Sequence, residues 1–178
     1  MSLFAIDAGH GGYDNGASYE GRLEKDDNLR LALAVRDELI RLGQDVVMTR
    51  DTDVFVPLDE RANIANNAGA DLFISLHCNS VGYAQNANTA KGTEVYYYEE
   101  IAGPLASTLS AHLAGYTQRT NRGAKRSNYR VTLNTFAPSV LVEMGFLTNP
   151  AEYDSMASKQ GIYQTANAIG DGVLEFFG

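Results

Sequence analysis

Six short runs of apolar and β-branched residues, separated in several places by longer segments with helical periodicity, constrain the fold of this chain most. Runs of this length that are bounded by Gly, Asp or Asn are typical of strands. Strands that alternate with helices predict a largely parallel sheet covered by helices. We therefore expect a single α/β domain over residues 1–178, with a largely parallel, mixed and twisted sheet of about six strands and helices on both faces. The predicted strands are Leu3–Asp7, Asp45–Thr49, Asp71–His77, Thr93–Tyr98, Tyr129–Leu133 and Ser139–Glu143.

Two segments have clear helical patterns. The first is predicted from about Glu24 to Leu42, where Gly43 ends it and acidic residues at its start interact favourably with the helix dipole. At about 100° per residue, Glu24 lies on the same side as the apolar stripe, so its carboxylate is expected to point inward. The closing helix is predicted from about Gly161 to Phe177. Ser80–Thr89 resembles a flexible polar loop.

A chain of 178 residues that is 44% hydrophobic can bury one good core but is short for two, which is consistent with a single domain.

The charge of the chain excludes one class of partner and indicates another. The formal net charge of −8 argues against a general nucleic-acid binder, because such binding neutralises phosphates with Lys and Arg. Between Ile101 and Val142 there is no Asp or Glu, so this segment is locally cationic; it is either a solvated loop or a loop that contacts an anionic group of a substrate. Its basic residues are Arg119, Arg122, Lys125, Arg126 and Arg130.

Two further residues with potential chemistry are interpreted as structural. Cys78 is the only cysteine, so the chain cannot form an internal disulfide. Because neighbouring residues of a strand face opposite ways, Cys78 should point away from whatever His77 binds and act as a small buried apolar residue. His112 has no acid or second histidine one helical turn away, which favours a structural role.

Polar side chains follow three of the predicted strands, where open α/β sheets place their sites. His10 follows the first strand between glycines, His77 ends the third, and Glu143 ends the last. Glu24, which faces inward at the start of the first helix, can join them. Two His and one Glu with an open fourth position form the usual ligand set of a catalytic zinc, and Glu143 would then be the spare carboxylate.

Each of these residues also has a structural alternative. A histidine after a strand is often only a hydrogen-bonded structural residue, which applies to His10 and His77. An inward Glu24 needs either a metal or a basic neighbour, and an Arg partner would suffice. Glu143 could form an ion pair with the cationic segment. Spacing alone does not choose between these alternatives.

Five blocks of the sequence, in order, resemble the signature blocks of the amidase-3 family of N-acetylmuramoyl-L-alanine amidases. They are Asp7–Ala17, Glu24–Leu29, Thr49–Asp53, Ile74–Asn79 and Pro138–Asn149. The resemblance covers nearly the whole chain, and five ordered blocks are far more specific than one short motif. It implies that His10, Glu24 and His77 bind zinc, that Glu143 is the catalytic acid/base, and that 1–178 is a zinc amidase catalytic domain.

The resemblance also implies a substrate, the amide bond between N-acetylmuramic acid and L-alanine of the stem peptide in peptidoglycan. We expect Arg122 and Lys125 to hold stem-peptide carboxylates, and Asn79 is placed with them in the substrate-binding set. Arg50 and Arg61 are expected to be structural, as surface partners of Asp51, Asp53 or Asp59. Where some relatives carry a regulatory helix, Thr117–Asn128 is short and basic, which implies an uncovered cleft.

Such an enzyme would act on the cell wall as a monomer, without membrane insertion or nucleic acid. The chain starts without a signal peptide, which favours release of the phage-lysin type or excision from an exported protein. Two alternatives stay open. A zinc peptidase or deacylase would use the same ligands on another amide, because the ligand set determines the chemistry but not the substrate. A non-catalytic wall-binding module is expected to lack one of the four site residues, and all four are present.

Overall fold

The computed structural model describes residues 1–82 and 89–178, so most of the predicted polar loop, residues 83–88, lies outside the described residues. The strands are β1 (Leu3–Ala8), β2 (Ser18–Tyr19), β3 (Arg22–Leu23), β4 (Asp45–Met48), β5 (Leu72–Asn79), β6 (Thr93–Tyr97), β7 (Asn121–Arg126) and β8 (Ser139–Phe146). Six of them form one sheet in the order β4-β1-β5-β8-β6-β7, and β2 pairs with β3 in a small hairpin. The large sheet is parallel from β4 to β8, whereas β6 runs antiparallel to β8 and β7 parallel to β6. The predicted mixed sheet of six strands is confirmed.

The helices are α1 (Glu24–Arg41), α2 (Leu58–Ala68), α3 (Gly103–Thr117), α4 (Arg130–Leu133), α5 (Pro150–Ala157) and α6 (Lys159–Phe177). The first helix starts at Glu24 as predicted, and the closing helix starts two residues before the predicted Gly161. Ser158 determines that start, because its side chain accepts a hydrogen bond from the Gly161 N–H as an N-cap. None of the helices in the described ranges is long and apolar enough to cross a bilayer.

Alternation along the central strands gives the sheet two different faces. One face packs its aliphatic side chains against α1, α3 and α6 in the main core; examples are Ile6, Ile74 and Val142. The opposite face is covered by α2 and α4 around a smaller cluster that contains Phe73 and Leu141. Helices therefore cover both faces, as predicted, and the second face has the smaller cluster of buried apolar residues.

The predicted strand Tyr129–Leu133 is wrong. Arg130–Leu133 forms the single helical turn α4, and the sixth strand is β7, which lies within the cationic segment. This edge strand, with the sequence Asn-Arg-Gly-Ala-Lys-Arg, has exposed and half-buried side chains and therefore no apolar alternation to detect. The expectation that the cationic segment is a loop is also wrong, because β7 and α4 lie within it. Val131, a β-branched residue of α4, packs into the smaller cluster instead of forming part of a strand.

Candidate metal centre

Three side chains from distant parts of the chain meet at the carboxyl end of the central strands. His10 follows β1, Glu24 begins α1 and His77 lies near the end of β5. Each offers one ligand atom, and these atoms lie within 4.8 Å of one another. Glu24 Oε2 is 3.3 Å from His10 Nε2, and Glu24 Oε1 is 3.0 Å from His77 Nδ1. The predicted convergence of these residues is confirmed.

Glycines make this close approach possible. A Cβ on Gly9 would lie 2.3 Å from the His77 ring, and a Cβ on Gly16 would lie 2.5 Å from the His10 ring. His10 itself has a φ of 62°, a backbone conformation that non-glycine residues rarely adopt. The glycine-rich loop after β1 therefore turns sharply enough to bring the His10 imidazole to the carboxylate that His77 also contacts.

Asp14 orients the first imidazole and was not singled out from the sequence. Its Oδ2 atom is 2.9 Å from His10 Nδ1, which leaves His10 Nε2 directed to Glu24. A carboxylate on the second ring nitrogen is the usual way in which proteins fix the orientation and tautomer of a metal-binding histidine. The available signal was an acidic residue four positions after His10 in the same glycine-rich block.

Glu24 is buried, with 5% of its surface exposed, and has no Arg or Lys partner in the part of the chain that the structure describes. The Arg-partner alternative for this residue is therefore wrong. Its oxygens accept hydrogen bonds from the backbone N–H groups of Ala17 and Cys78 and contact both imidazoles. Burial alone would raise the pKa of Glu24, but the hydrogen bonds and positive charges of His10 and His77 outweigh burial and lower it.

The same contacts change the basicity of His10. Burial alone would lower the pKa of its imidazole, but the hydrogen bonds and negative charges of Glu24 and Asp14 outweigh burial and raise the pKa to about 9. A metal ion bound by this imidazole would compete with the proton.

Glu143 lies beside the cluster, on β8, where its Cα is in register with that of His77 on β5. Its Oε2 atom is buried and has no hydrogen-bond partner among residues 1–82 and 89–178, and no ion pair joins it to a basic side chain there. The alternative of an ion pair with the cationic segment is therefore wrong. Burial raises the pKa of Glu143 to about 7; the positive charge of His77 opposes this rise, and the negative charges of Glu24 and Glu94 add to it.

A cleft of about 560 Å³ joins these groups, with His10, Glu24, His77 and Glu143 among its lining residues. Phe55, Val56 and Leu58 line one side of it, and Tyr129 and Arg130 also contribute. Cys78 is buried and its Sγ contacts Met156 Sδ at 3.9 Å on the main-core side, as expected from strand alternation. His112 does not join the cluster and contacts Glu175 on the outer surface of α3 and α6.

The three residues predicted to bind substrate share one partner, Glu94, which sequence reasoning missed. Arg122 Nε is 2.8 Å from Glu94 Oε2, Lys125 Nζ contacts the same oxygen, and Asn79 Nδ2 donates to Glu94 Oε1 at 2.7 Å. Glu94 is buried on β6, and its Cα is in register with that of Glu143. These contacts place both cations on the β6–β7 side of the site. Of the three residues, Asn79 lines the cleft.

Arg50 and Arg61 are structural, but the predicted surface partners for them are wrong. Both are buried, and Arg61 forms an ion pair at 2.7 Å with Asp7, which lies in β1. Asp7 also accepts hydrogen bonds from Thr49 and Ser75, and Arg61 donates to the backbone carbonyls of Ala8 and His10. Arg50 donates to the carbonyls of Ala8 and Gly9. The two guanidinium groups therefore hold the loop that carries His10.

Replacing Arg61 with Met should lower the free energy of unfolding by about 3–5 kcal/mol, because the variant leaves the Asp7 carboxylate buried without its positive partner. Urea unfolding followed by circular dichroism measures this loss. Arg126→Met is the matched control, since Arg126 pairs with Glu100 on an exposed surface, and it should cost less than about 1 kcal/mol. A loss of under about 1 kcal/mol for Arg61→Met would show that the ion pair does not support the loop.

Comparison with known protein families gives a match over almost the entire chain. A family model described as N-acetylmuramoyl-L-alanine amidase matches residues 4–175. Among curated proteins, an uncharacterized protein of Bacillus subtilis, YqiI, is 39% identical over 176 residues, which cover 97% of this chain and 83% of that protein. The N-acetylmuramoyl-L-alanine amidase LytC of Bacillus subtilis is 38% identical, with 97% of this chain and 35% of LytC covered. The probable cell wall amidase LytH of Staphylococcus saprophyticus is 35% identical, and this chain spans 57% of its length.

Solved structures give the same result for the fold. The catalytic domain of CwlV, an N-acetylmuramoyl-L-alanine amidase from Bacillus (Paenibacillus) polymyxa var. colistinus, has a TM-score of 0.93 and 34% identity, over 99% of this chain and 98% of that one. An N-acetylmuramoyl-L-alanine amidase from Clostridium difficile 630 has a TM-score of 0.94 and 34% identity, over 99% and 96% of the two chains. The similarity therefore extends over the complete sheet and both helical layers.

Proposed function

This chain belongs to the N-acetylmuramoyl-L-alanine amidase family, and from this premise we propose that it is a zinc-dependent hydrolase of bacterial peptidoglycan. The bond cleaved is the amide between N-acetylmuramic acid and the L-alanine of the stem peptide, and residues 1–178 form the catalytic domain. The observation that carries the proposal is the cluster of His10, Glu24 and His77 beside Glu143 in one cleft. Its site of action would be the cell wall.

The residues of the cluster fit a zinc ion. Two imidazole nitrogens and one carboxylate oxygen with an open fourth position are typical of catalytic zinc. One ligand atom from each of His10, Glu24 and His77 lies within 4.8 Å of the other two, so the three side chains are close enough to hold one ion together. The buried carboxylate also has no Arg or Lys partner in the described chain, so a divalent cation would complete its charge pairing.

The positions of the side chains support the following reaction. When bound, zinc supplies a Lewis acid that polarises the amide carbonyl and makes water nucleophilic at neutral pH. Glu143 accepts a proton from the attacking water, whose oxygen bonds to the carbonyl carbon of the lactyl group. The same carboxyl then donates a proton to the alanine nitrogen as the C–N bond breaks, which leaves a lactyl carboxylate and a free amine. A carboxyl whose pKa is near 7 suits both transfers.

The cationic residues give the stem peptide a binding surface. Arg122 and Lys125 are each more than a third exposed while they share the single carboxylate of Glu94, so this group carries a net positive charge. Free carboxylates of a stem peptide would be attracted to it, and Asn79 connects Glu94 to the cleft. Binding through this surface should weaken as salt concentration rises.

Product analysis of digested sacculi tests the proposed bond. We expect the holoenzyme to release free amino groups on L-alanine, with no increase in reducing sugar ends, measured by amino-terminal labelling and mass spectrometry of the soluble fragments. Amino termini on other stem residues would instead indicate a peptidase. Binding of sacculi with no release of fragments would indicate a wall-binding module. Either of these outcomes contradicts the proposal.

A further inference from the structure

Two aromatic side chains stack on each other at the protein surface beside the cleft. The ring centroids of Tyr13 and Phe55 are 4.2 Å apart, with an angle of 27° between the ring planes. Tyr13 is 80% exposed and Phe55 is 37% exposed. Because one face of the Tyr13 ring contacts Phe55, its other face is open to solvent. Large apolar surfaces of this kind commonly mark binding sites.

The position of this aromatic pair connects it to the reaction site. Tyr13 lies three residues after His10 in the loop that follows β1, and Phe55 lies in the segment between β4 and α2. Phe55 lines the same cleft as His10 and Glu143. Val56 and Leu58 extend this apolar side of the cleft. The pair is therefore located at the rim of the cleft.

The two loops that carry the pair are held together by polar contacts. The Gly12 N–H donates to Asp53 Oδ1 at 2.8 Å, and Lys25 Nζ donates to both the Gly12 carbonyl and Asp53 Oδ2 at 2.8 Å. The backbones are so close that a Cβ on Gly12 would lie 2.7 Å from Phe55 N. Rings on loops held in this way lose little conformational entropy when a ligand binds.

The sheet places this pair on the opposite side of the reaction site from the cations. In the order β4-β1-β5-β8-β6-β7, the aromatic loops follow β4 and β1, while the Glu94 group lies on β6 and β7. His77 and Glu143 lie on the two strands between them. Four strand spacings of about 4.8 Å separate β1 from β7, which is about 19 Å. The two ends of a bound substrate would therefore meet chemically different surfaces.

The substrate of the proposed function has two chemically different parts that match these two surfaces, since a sugar lies on one side of the amide and an anionic peptide on the other. Pyranose rings present apolar C–H faces, which pack well on the electron-rich faces of aromatic rings. Carboxylates pair with Arg and Lys. We propose that Tyr13 and Phe55 form a saccharide subsite that binds a pyranose ring of the glycan strand, with the stem peptide directed to the β6–β7 side. This inference rests on the proposed function for its substrate class.

A direct binding experiment uses the absence of tryptophan from this chain. Tyr13→Trp introduces a single indole into the subsite of the zinc-loaded protein. Titration with peptide-free glycan strands, from which stem peptides have been removed, should give a saturable fluorescence change. Tyr163→Trp is the matched control, because Tyr163 is 65% exposed on α6 and does not line the cleft, and its fluorescence should not change.

Kinetics on intact sacculi distinguish a binding role from a structural one. Tyr13→Ala should raise KM about five- to tenfold with kcat within about twofold of wild type, as expected for loss of one aromatic contact. Tyr13→Phe, which keeps the ring, should recover most of the lost affinity. Tyr163→Ala should leave both constants unchanged. A fall in kcat with an unchanged KM would show instead that Tyr13 supports the His10 loop, and would overturn the proposal.

The binding titration involves no turnover, so its result is independent of the proposed reaction. A saturable change with peptide-free glycan supports the subsite even if sacculi are not cleaved at the expected bond. No change with glycan, or a change only with the isolated stem peptide, overturns the saccharide assignment even if amidase activity is found. The second result would mean that the aromatic pair contacts the peptide.

Discussion

Glu143→Gln should lower kcat for amide hydrolysis by about 1,000-fold while the zinc content of the protein stays at wild-type level. Gln has nearly the same shape as Glu but cannot accept the proton of the attacking water or return one to the alanine nitrogen. The ligand cluster does not include Glu143, so metal binding should persist. The rate is measured as release of alanine amino groups from sacculi, and metal content by elemental mass spectrometry.

Stability provides a check that this variant stays folded. Burial raises the pKa of Glu143 to about 7, which means that the fold disfavours its ionised form. The substituted glutamine carries no charge, so the free energy of unfolding should be unchanged or higher. Glu100→Gln is the control, because Glu100 is exposed and pairs with Arg126 away from the cleft, and it should retain the full rate. If Glu143→Gln kept more than about a tenth of wild-type kcat, Glu143 would not be the acid/base.

His77→Ala should lower zinc affinity by more than about 100-fold and remove measurable hydrolysis, because it removes one of the three proposed ligands, and the loss of a ligand costs more than the 10- to 100-fold typical of a residue that only orients one. Competition with a chromophoric chelator measures the affinity.

Asp14→Asn, which weakens only the support of His10, should lower zinc affinity by an amount within the 10- to 100-fold range. Chelation of the wild-type protein should remove activity, and added zinc should restore it.

The third histidine of the chain supplies the control for this experiment. His112→Ala removes an imidazole that contacts Glu175 on the surface of α3 and α6, outside the ligand cluster. Its zinc affinity and activity should match those of wild type. Stoichiometric zinc and normal turnover in His77→Ala would contradict the proposed centre, and equal losses in both histidine variants would point to general unfolding.

The position of the site could be predicted because its signals are local. Buried parallel strands have the sequence pattern of apolar runs, so His10, which follows β1, and His77, near the end of β5, could be placed at one edge of the sheet. Helical periodicity over α1 was enough to turn Glu24 inward. The strand β7 could not be found this way, because an edge strand with polar side chains has no apolar alternation.

Pairing between charged side chains was the part that sequence reasoning did not reach. Arg61 is only two residues from Asp59 in sequence, yet its partner is Asp7, 54 residues away. Arg122 and Lys125, two cations of the cationic segment, pair with the buried acid Glu94 rather than with Glu143. Each of these ion pairs depends on which strands are neighbours in the sheet, and strand order cannot be predicted from short stretches of sequence.

The amino-acid sequence by itself therefore determined the class of fold, the approximate ends of the first and closing helices and the residues brought to one edge of the sheet, since periodicity and glycine-rich turns act over a few residues. Tertiary structure alone decided which charges neutralise one another, how Asp14 orients His10, and that an aromatic pair and a cationic group lie on opposite sides of the cleft. The physical reason is distance along the chain: electrostatic and packing contacts form between residues that only the order of strands brings together.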